Sequence, residues 1–279
     1  MRTLLAGLTA ADIRTDPFPH IVADLPVEPE LYEALSASFP SFQRLAWDCP
    51  PERVPNNRRF ALPAQLLMEA PDLPECWKEF LALHSGPTFL AEVAALFAGH
   101  WDPAMLAVLD GSLTNHSTGR LSLSNPGPYR IHQDARLEIN SAVRDRPSSS
   151  RGAHLDTPNR LFSCLFYLRA PDDDAVGGDL ELFRWRSGPA GPVSSYEVPP
   201  DTVDRVATIP YAANRMVIFP QNVNALHGVS PRHPTPHTRR YVFITAELTE
   251  DWMTFPESDP TSAPAGPGAA PKEAAPCAC

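Results

Sequence analysis

The sequence predicts a mainly β protein, a sandwich or jelly roll with flanking helices. Three observations carry that expectation. From about residue 110 onward, short β-type runs recur at short spacing with turn residues between them. Before residue 110, two stretches place apolar residues at helical spacing, Leu31, Leu35 and Phe39, and then Phe89, Leu90, Val93, Leu96 and Phe97. A chain of 279 residues with 43% apolar content is also long enough to bury one large core.

The expected strands are 137–143, 161–168, 179–183, 193–198, 205–209, 215–219 and 240–248. Ahead of them, Asp16-Pro17-Phe18-Pro19-His20-Ile21-Val22 reads as a short strand held straight by its prolines. A helix should start near Pro29, whose fixed φ suits a first turn, with Glu28 and Glu30 at the positive end of the dipole. Leu31, Leu35 and Phe39 supply its stripe and Pro40 stops it. Residues 41–74 are dense in proline and sustain no period, as an irregular segment beside a substrate entrance would. Residues 75–84 form a short helix, which Ser85-Gly86-Pro87 breaks before another carrying Phe89, Leu90, Val93, Leu96 and Phe97 on one face.

These readings divide the chain into a helical or irregular segment at 1–110, a β core at 111–255 and a Pro/Ala-rich tail at 256–279 expected to be disordered. No run approaches the apolar length of a membrane span, and MRTLLAGLTAADIRTD reads poorly as a signal peptide, so a cytoplasmic protein is expected. The net charge of −10 argues against nucleic acid or an anionic membrane as partner. Cys49, Cys76, Cys164, Cys277 and Cys279 are odd in number, which fits free thiols better than a disulfide framework. The closing Cys277-Ala278-Cys279 resembles a doubly prenylated ending, but nothing else in the chain fits that signal.

The chemistry-bearing stretch is 151–183, RGAHLDTPNRLFSCLFYLRAPDDDAVGGDLELF. On extended chain His154 and Asp156 project to one side and can grip one ion together. The same pattern occurs at His132-Gln133-Asp134, read as part of a Pro/Gly-bracketed connection before its strand begins. Only the second pair leads directly into a strand, which places it at a strand mouth. His227 follows 71 residues after Asp156, room for the strands that would return the chain beside the first pair. Two imidazoles and one carboxylate are the donor set of a non-haem Fe(II) facial triad.

Strand 240–248 comes next, and its alternation separates two arginines. Arg240 shares a face with Val242, Ile244, Ala246 and Leu248; Arg239 shares one with Tyr241, Phe243, Thr245 and Glu247. The first face is the more aliphatic, so Arg240 is expected to point inward, where a buried guanidinium needs a carboxylate. Its planar fork suits bidentate binding of one.

Residues 137–248 resemble the catalytic core of the 2-oxoglutarate/Fe(II)-dependent dioxygenases, nearest the prolyl-4-hydroxylase-like branch. The matching motifs are HLD at 154–156, LFSCLFYL at 161–168, GGDLELF at 177–183, NRMVIFPQNVNALHGVSP at 214–231 and RRYVFITAEL at 239–248. The resemblance implies a double-stranded β-helix, a cupin-like jelly roll. It also implies that His154, Asp156 and His227 bind Fe(II), that Arg240 takes the distal carboxylate of 2-oxoglutarate, and that Tyr167 adds a hydroxyl to that carboxylate. The implied activity, with O2 as co-reactant, is hydroxylation of an unactivated C–H of a small molecule or peptidyl substrate through a ferryl intermediate, releasing succinate and CO2. Asp156 disfavours halogenation, since halogenating relatives carry a small residue there.

Two other readings use the same residues: a cupin-like metal-dependent isomerase or hydrolase, and a non-catalytic jelly-roll binding module. Neither needs an inward arginine after the last histidine. Asn159, Arg151 and Arg160 flank the His-x-Asp pair as candidates to meet substrate, or as loop charges.

Overall fold

The computed structural model describes residues 1–122, 127–189 and 197–255. The expected disordered tail, its two cysteines and most of the expected strand 193–198 lie outside them. Two β-sheets face one another. The larger contains β1 (Ile21–Asp24), β2 (Arg59–Leu62), β3 (Thr118–Arg120), β4 (Ile131–Asn140), β5 (Arg160–Tyr167), β8 (Arg215–Pro220) and β10 (Arg239–Leu248). Its order is β1-β8-β5-β10-β4-β2, with β3 parallel beside β4. The smaller sheet has the order β7-β6-β9, from β6 (Leu180–Trp185), β7 (Val203–Ile209) and β9 (His227–Val229). Backbone bridges from Ser148 to Arg232 and from His154 to His227 lay the approach to the His-x-Asp pair alongside β9. This jelly-roll architecture is the double-stranded β-helix core expected from the sequence.

The N-terminal third does more than pack on that core, because β1 and β2 are strands of its larger sheet. β2 arises within the proline-dense segment 41–74, which also folds into the short helices α2 (Phe42–Leu45) and α3 (Ala64–Met68). The remaining helices are α1 (Pro29–Ala37), α4 (Glu75–His84), α5 (Pro87–Leu96) and α6 (Pro103–Val108). α1 and α5 each begin with a proline, where the missing N–H costs nothing.

Period-2 alternation gives the larger sheet two different faces. One carries Phe162, Cys164 and Phe166 of β5, Met216 and Ile218 of β8, and Val242, Ile244 and Ala246 of β10. The helices cover this face: Phe80 of α4 stacks on Phe166 at 5.7 Å and Phe89 of α5 meets Phe162 at 6.1 Å. Burying each such ring contributes about 1.5–3 kcal/mol. The other face looks into the barrel and bears Leu165, Tyr167, Val217, Phe219, Tyr241 and Phe243 in a second apolar cluster with Leu180 and Leu182 of β6. Polar residues join that face along β4, where His132, Asp134, Arg136, Glu138 and Asn140 alternate with Gln133, Ala135, Leu137 and Ile139.

Two expectations are corrected here. His132-Gln133-Asp134 lies inside β4, not in a connection before it. The Pro/Gly bracket ends just ahead of Ile131, so the strand starts earlier than its apolar run suggests. Arg240 faces the helices, not the barrel: its guanidinium lies over the Phe39 ring at 5.2 Å and its β4 partner is Ile139. The uniformly aliphatic face of β10 is aliphatic because helices cover it.

Among the described residues, no helix is long and apolar enough to cross a membrane.

Candidate functional site

His154, Asp156 and His227 come together at one mouth of the barrel, with one ligand atom from each within 4.8 Å of the others. The bridge between His154 and His227, with backbone bonds of 2.9 and 3.1 Å, sets the two imidazoles side by side, ring centroids 4.2 Å apart. Nδ1 of His154 donates to the Gly152 carbonyl at 2.8 Å, and Nδ1 of His227 to the Ala225 carbonyl at 2.9 Å. These bonds leave each Nε2 with its lone pair turned toward Asp156, 3.8 and 3.7 Å from its carboxylate oxygens.

Burial holds His154 well below its ordinary range, helped by Arg151 and by His227. Burial likewise lowers His227, against the opposing pull of Asp156. Burial would raise Asp156, but Arg160, His227, Arg151 and His154 outweigh it and hold the carboxyl well below the usual range. Two neutral imidazoles and one ionised carboxylate are the state a divalent cation needs. The Ser163 hydroxyl donates to Oδ2 of Asp156 at 2.5 Å, and Nη1 of Arg151 approaches Oδ1 at 3.4 Å. The Phe219 ring lies 4.9 Å from His227 and covers that side.

Deeper in the barrel sits Arg239, 1% exposed. It takes the place expected for Arg240. Its guanidinium lies over three tyrosine rings, Tyr167 and Tyr211 at 5.0 Å and Tyr241 at 4.7 Å. Nε donates to the Gly178 carbonyl at 2.7 Å, while Nη2 has no hydrogen-bond partner. Among the described residues Arg239 forms no ion pair; burial opposes its charge, and the three tyrosines and Glu138 offset that burial. Of the three tyrosines, Tyr211 bonds the backbone of Arg240 and Tyr241 bonds Glu138. The buried Tyr167 hydroxyl alone of the three has no partner. A guanidinium and a phenol with unused donors form an anion cradle.

The Gly177-Gly178 pair makes that cradle possible. Both residues have positive φ, and a Cβ on Gly177 would fall 2.0 Å from the Pro231 carbonyl oxygen. A Cβ on Gly178 would crowd the stems of Arg232 and Arg239.

Several interior charges join the site in an arrangement the sequence did not assign. An alternating chain of charge runs from Asp134 to Arg136, on to Glu247 and Arg160, and ends at Asp156, with separations of 3.2, 3.3, 2.6 and 3.5 Å. Glu138 pairs with Arg59 at 3.5 Å. The alternation of HQDARLEIN at 132–140 could have found the β4 members. The pairing across to β2 and β10 is visible only in the fold. Segments 54–58 and 141–148 are knit together, as Asn57 donates to the Ser148 carbonyl at 2.7 Å and Arg58 N–H to Ser141 at 2.8 Å.

Comparison with known families decides the class. Residues 120–245 match the model of the 2OG-Fe(II) oxygenase superfamily. Over those residues the chain is a 2OG-Fe(II) oxygenase. The superfamily uses Fe(II), 2-oxoglutarate and O2, and the metal-binding donor set and the anion cradle fall within the matched residues. No curated protein matches the chain. Among solved structures, the oxygenase is similar to a Pseudomonas putida prolyl-4-hydroxylase at 15% identity, covering 83% of this chain and 93% of that one with a TM-score of 0.42. It is similar to the non-haem α-ketoglutarate-dependent epimerase SnoN of nogalamycin biosynthesis at 10% identity, covering 82% and 76%, TM-score 0.46. A third is a Trichoplax adhaerens prolyl hydroxylase in complex with a hypoxia-inducible-factor peptide, at 12% identity, covering 82% and 83%, TM-score 0.38.

Proposed function

We propose that this oxygenase hydroxylates an unactivated C–H of a small molecule or peptidyl substrate, coupled to conversion of 2-oxoglutarate to succinate and CO2. His154, Asp156 and His227 would hold Fe(II) through two Nε2 atoms and a carboxylate. Arg239, in place of Arg240, would bind the distal carboxylate of 2-oxoglutarate, with the Tyr167 hydroxyl as a second donor. When bound, the metal and cosubstrate supply the oxidising chemistry with O2. The chain's own work is to place and protect them. The Nδ1 bonds to Gly152 and Ala225 fix the imidazole tautomers, and Ser163 and Arg160 orient the carboxylate. Phe219 and Phe243 keep water from the buried side of the site.

The observation that carries this reading is Arg239, buried without an ion pair and with Nη2 unused, beside the Tyr167 hydroxyl, on the interior the metal ligands open into. An isomerase, a hydrolase or a binding module on the same barrel does not need an anion cradle there. Segments 54–58 and 141–148, tied to one another, border the approach a substrate would take. The free thiols of Cys76 and Cys164 suit a cytoplasmic setting.

The test is anaerobic addition of Fe(II) and 2-oxoglutarate, read by the weak visible charge-transfer band of the chelate. The band should appear with wild-type protein and vanish in Asp156→Ala/His227→Ala. Metal-replete protein without the band would refute the assignment. Turnover of 2-oxoglutarate across amino acids, peptides and carbohydrates, followed by product mass, then identifies the substrate.

A further inference from the structure

Asn140 closes β4 on its barrel face and is 1% exposed. Neither its Oδ1 nor its Nδ2 has a hydrogen-bond partner. A primary amide left with both ends unused in a dry interior is costly, and a neutral side chain there has apolar alternatives of equal size. The register explains where the amide sits. Asn140 is directly opposite Arg239 across the β10–β4 pair, and opposite Arg59 across the β2–β4 pair. Residues opposed in this way share a face, with Cβ atoms about 4.5–5.5 Å apart. Its neighbour on that face, Glu138, is already satisfied by Arg59 and Tyr241. The next residue, Ser141, gives its carbonyl to Arg232, a second buried arginine held by the neutral acceptors Asn57, Ser141 and His237.

Three buried polar groups on this stretch of wall therefore lack partners: Arg239 Nη2, Tyr167 OH and the Asn140 amide. Two belong to the anion cradle, and register puts the third beside it. We propose that Asn140 is a further binding residue of that cradle, donating from Nδ2 to the distal carboxylate of a five-carbon dicarboxylic 2-oxo acid. The proposal rests on the reading of Arg239 and Tyr167 given above. A carboxylate has about four lone-pair sites, more than Arg239 and Tyr167 fill by themselves. Asn140 adds a donor without adding charge, and so favours a carboxylate end over a methyl end.

The test is calorimetric titration of metal-loaded protein under argon with 2-oxoglutarate and with 2-oxopentanoate, which keeps the chain length but ends in a methyl group. Asn140→Leu should weaken 2-oxoglutarate about tenfold, the loss expected for one hydrogen bond to a charged group, and leave 2-oxopentanoate within about twofold. Asn140→Asp, of the same size but offering an acceptor, should weaken 2-oxoglutarate further and again spare the monoacid. Because the amide has no partner in the ligand-free protein, Asn140→Leu should match or exceed the wild-type thermal midpoint without ligand. Equal weakening of both acids, or no weakening of either, would overturn the role of Asn140 and mark it as a residue that binds only water. If Arg239→Leu left 2-oxoglutarate binding intact, or wild-type protein failed to bind it, the underlying cosubstrate reading would fall instead.

Discussion

The Ser163 hydroxyl donates to Oδ2 of Asp156 at 2.5 Å, joining a β5 side chain to the carboxylate of the metal-binding group seven residues earlier. Asp156 sits on irregular chain just ahead of β5, so this bond, the shortest its carboxylate makes, fixes its orientation together with Arg160 and Arg151. Ser163→Ala should weaken Fe(II) binding about 10–100-fold, the usual loss when a group orienting a ligand is removed. Competition against a chromophoric chelator measures it. Unchanged affinity would mean the carboxylate is oriented by Arg160 and Arg151 alone.

The two neighbouring arginines of β10 should behave oppositely. Arg239→Leu should raise the dissociation constant for 2-oxoglutarate by at least about thirty-fold, since losing one partner of a buried charge pair costs about 2 kcal/mol or more. Arg240→Leu, altering a side chain that lies over Phe39 outside the barrel, should leave it unchanged. Titration of the visible chelate band compares the two directly.

Why the sequence pointed to Arg240 is a matter of layers. Alternation separated the two faces of β10 correctly, and the error lay in equating the most aliphatic face with the inside of the barrel. Here the sheet has apolar material on both sides: Phe80 and Phe89 press on one, and Leu180 and Leu182 close the other. The chemical face is the mixed one, carrying Arg239, Thr245 and Glu247 among aromatics. His154, Asp156 and His227 were legible because a strand and a second ligand at suitable distance give His-x-Asp its meaning. β2, four residues inside a proline-dense segment, and β9, three residues long, are too short to show a period. Asn140 was hidden for another reason: the expected strand 137–143 held it as one residue among others, and only its pairing with Arg239 sets it beside the cradle.

Metal loading should resist acid better than ordinary histidine ligands would allow. Both ligand imidazoles are held below 6.5 by burial, and Asp156 is held well below 3.8 once its cationic neighbours outweigh burial. Fewer protons have to leave for the cation to bind than from ordinary imidazoles, so affinity measured by chelator competition should fall at lower pH than two ordinary histidine ligands would give. A steep loss beginning near pH 7 would contradict the burial argument.

His84 sets a separate acid limit on the fold. Its Nδ1 donates to the Phe80 carbonyl at 2.8 Å and its Nε2 accepts the Leu4 N–H at 3.0 Å, tying the N-terminus to α4. Burial lowers this imidazole from 6.5 to about 4. The unfolded chain therefore takes up the proton first, so the stability is present above pH 6.5 and is lost as pH falls toward 4. The loss across that window should reach about 3 kcal/mol. Urea unfolding at pH 7 and pH 5 should show about 2 kcal/mol of it, and His84→Gln, although less stable overall, should show a shallower dependence.

Gly177→Ala should disturb both fold and ligand. The added carbon would meet the Pro231 carbonyl at 2.0 Å, on backbone with φ of +82°. The expected cost is at least about 1–3 kcal/mol, with weaker 2-oxoglutarate binding because the adjoining Gly178 carbonyl supports Arg239. Thermal melts and ligand titration on the same preparation would show both losses, whereas loss of stability alone would detach the turn from the cradle.

The two-faced larger sheet has one more consequence. Along β10, odd-numbered positions meet whatever enters the barrel, and even-numbered positions meet the helices from the other side. Stability and selectivity are thus written on alternate letters of the same ten-residue strand. An engineer could retune the durability of this enzyme at Val242, Ile244 or Ala246 and its ligand preference at Tyr241 or Phe243, with each set of changes largely insulated from the other by the backbone between them.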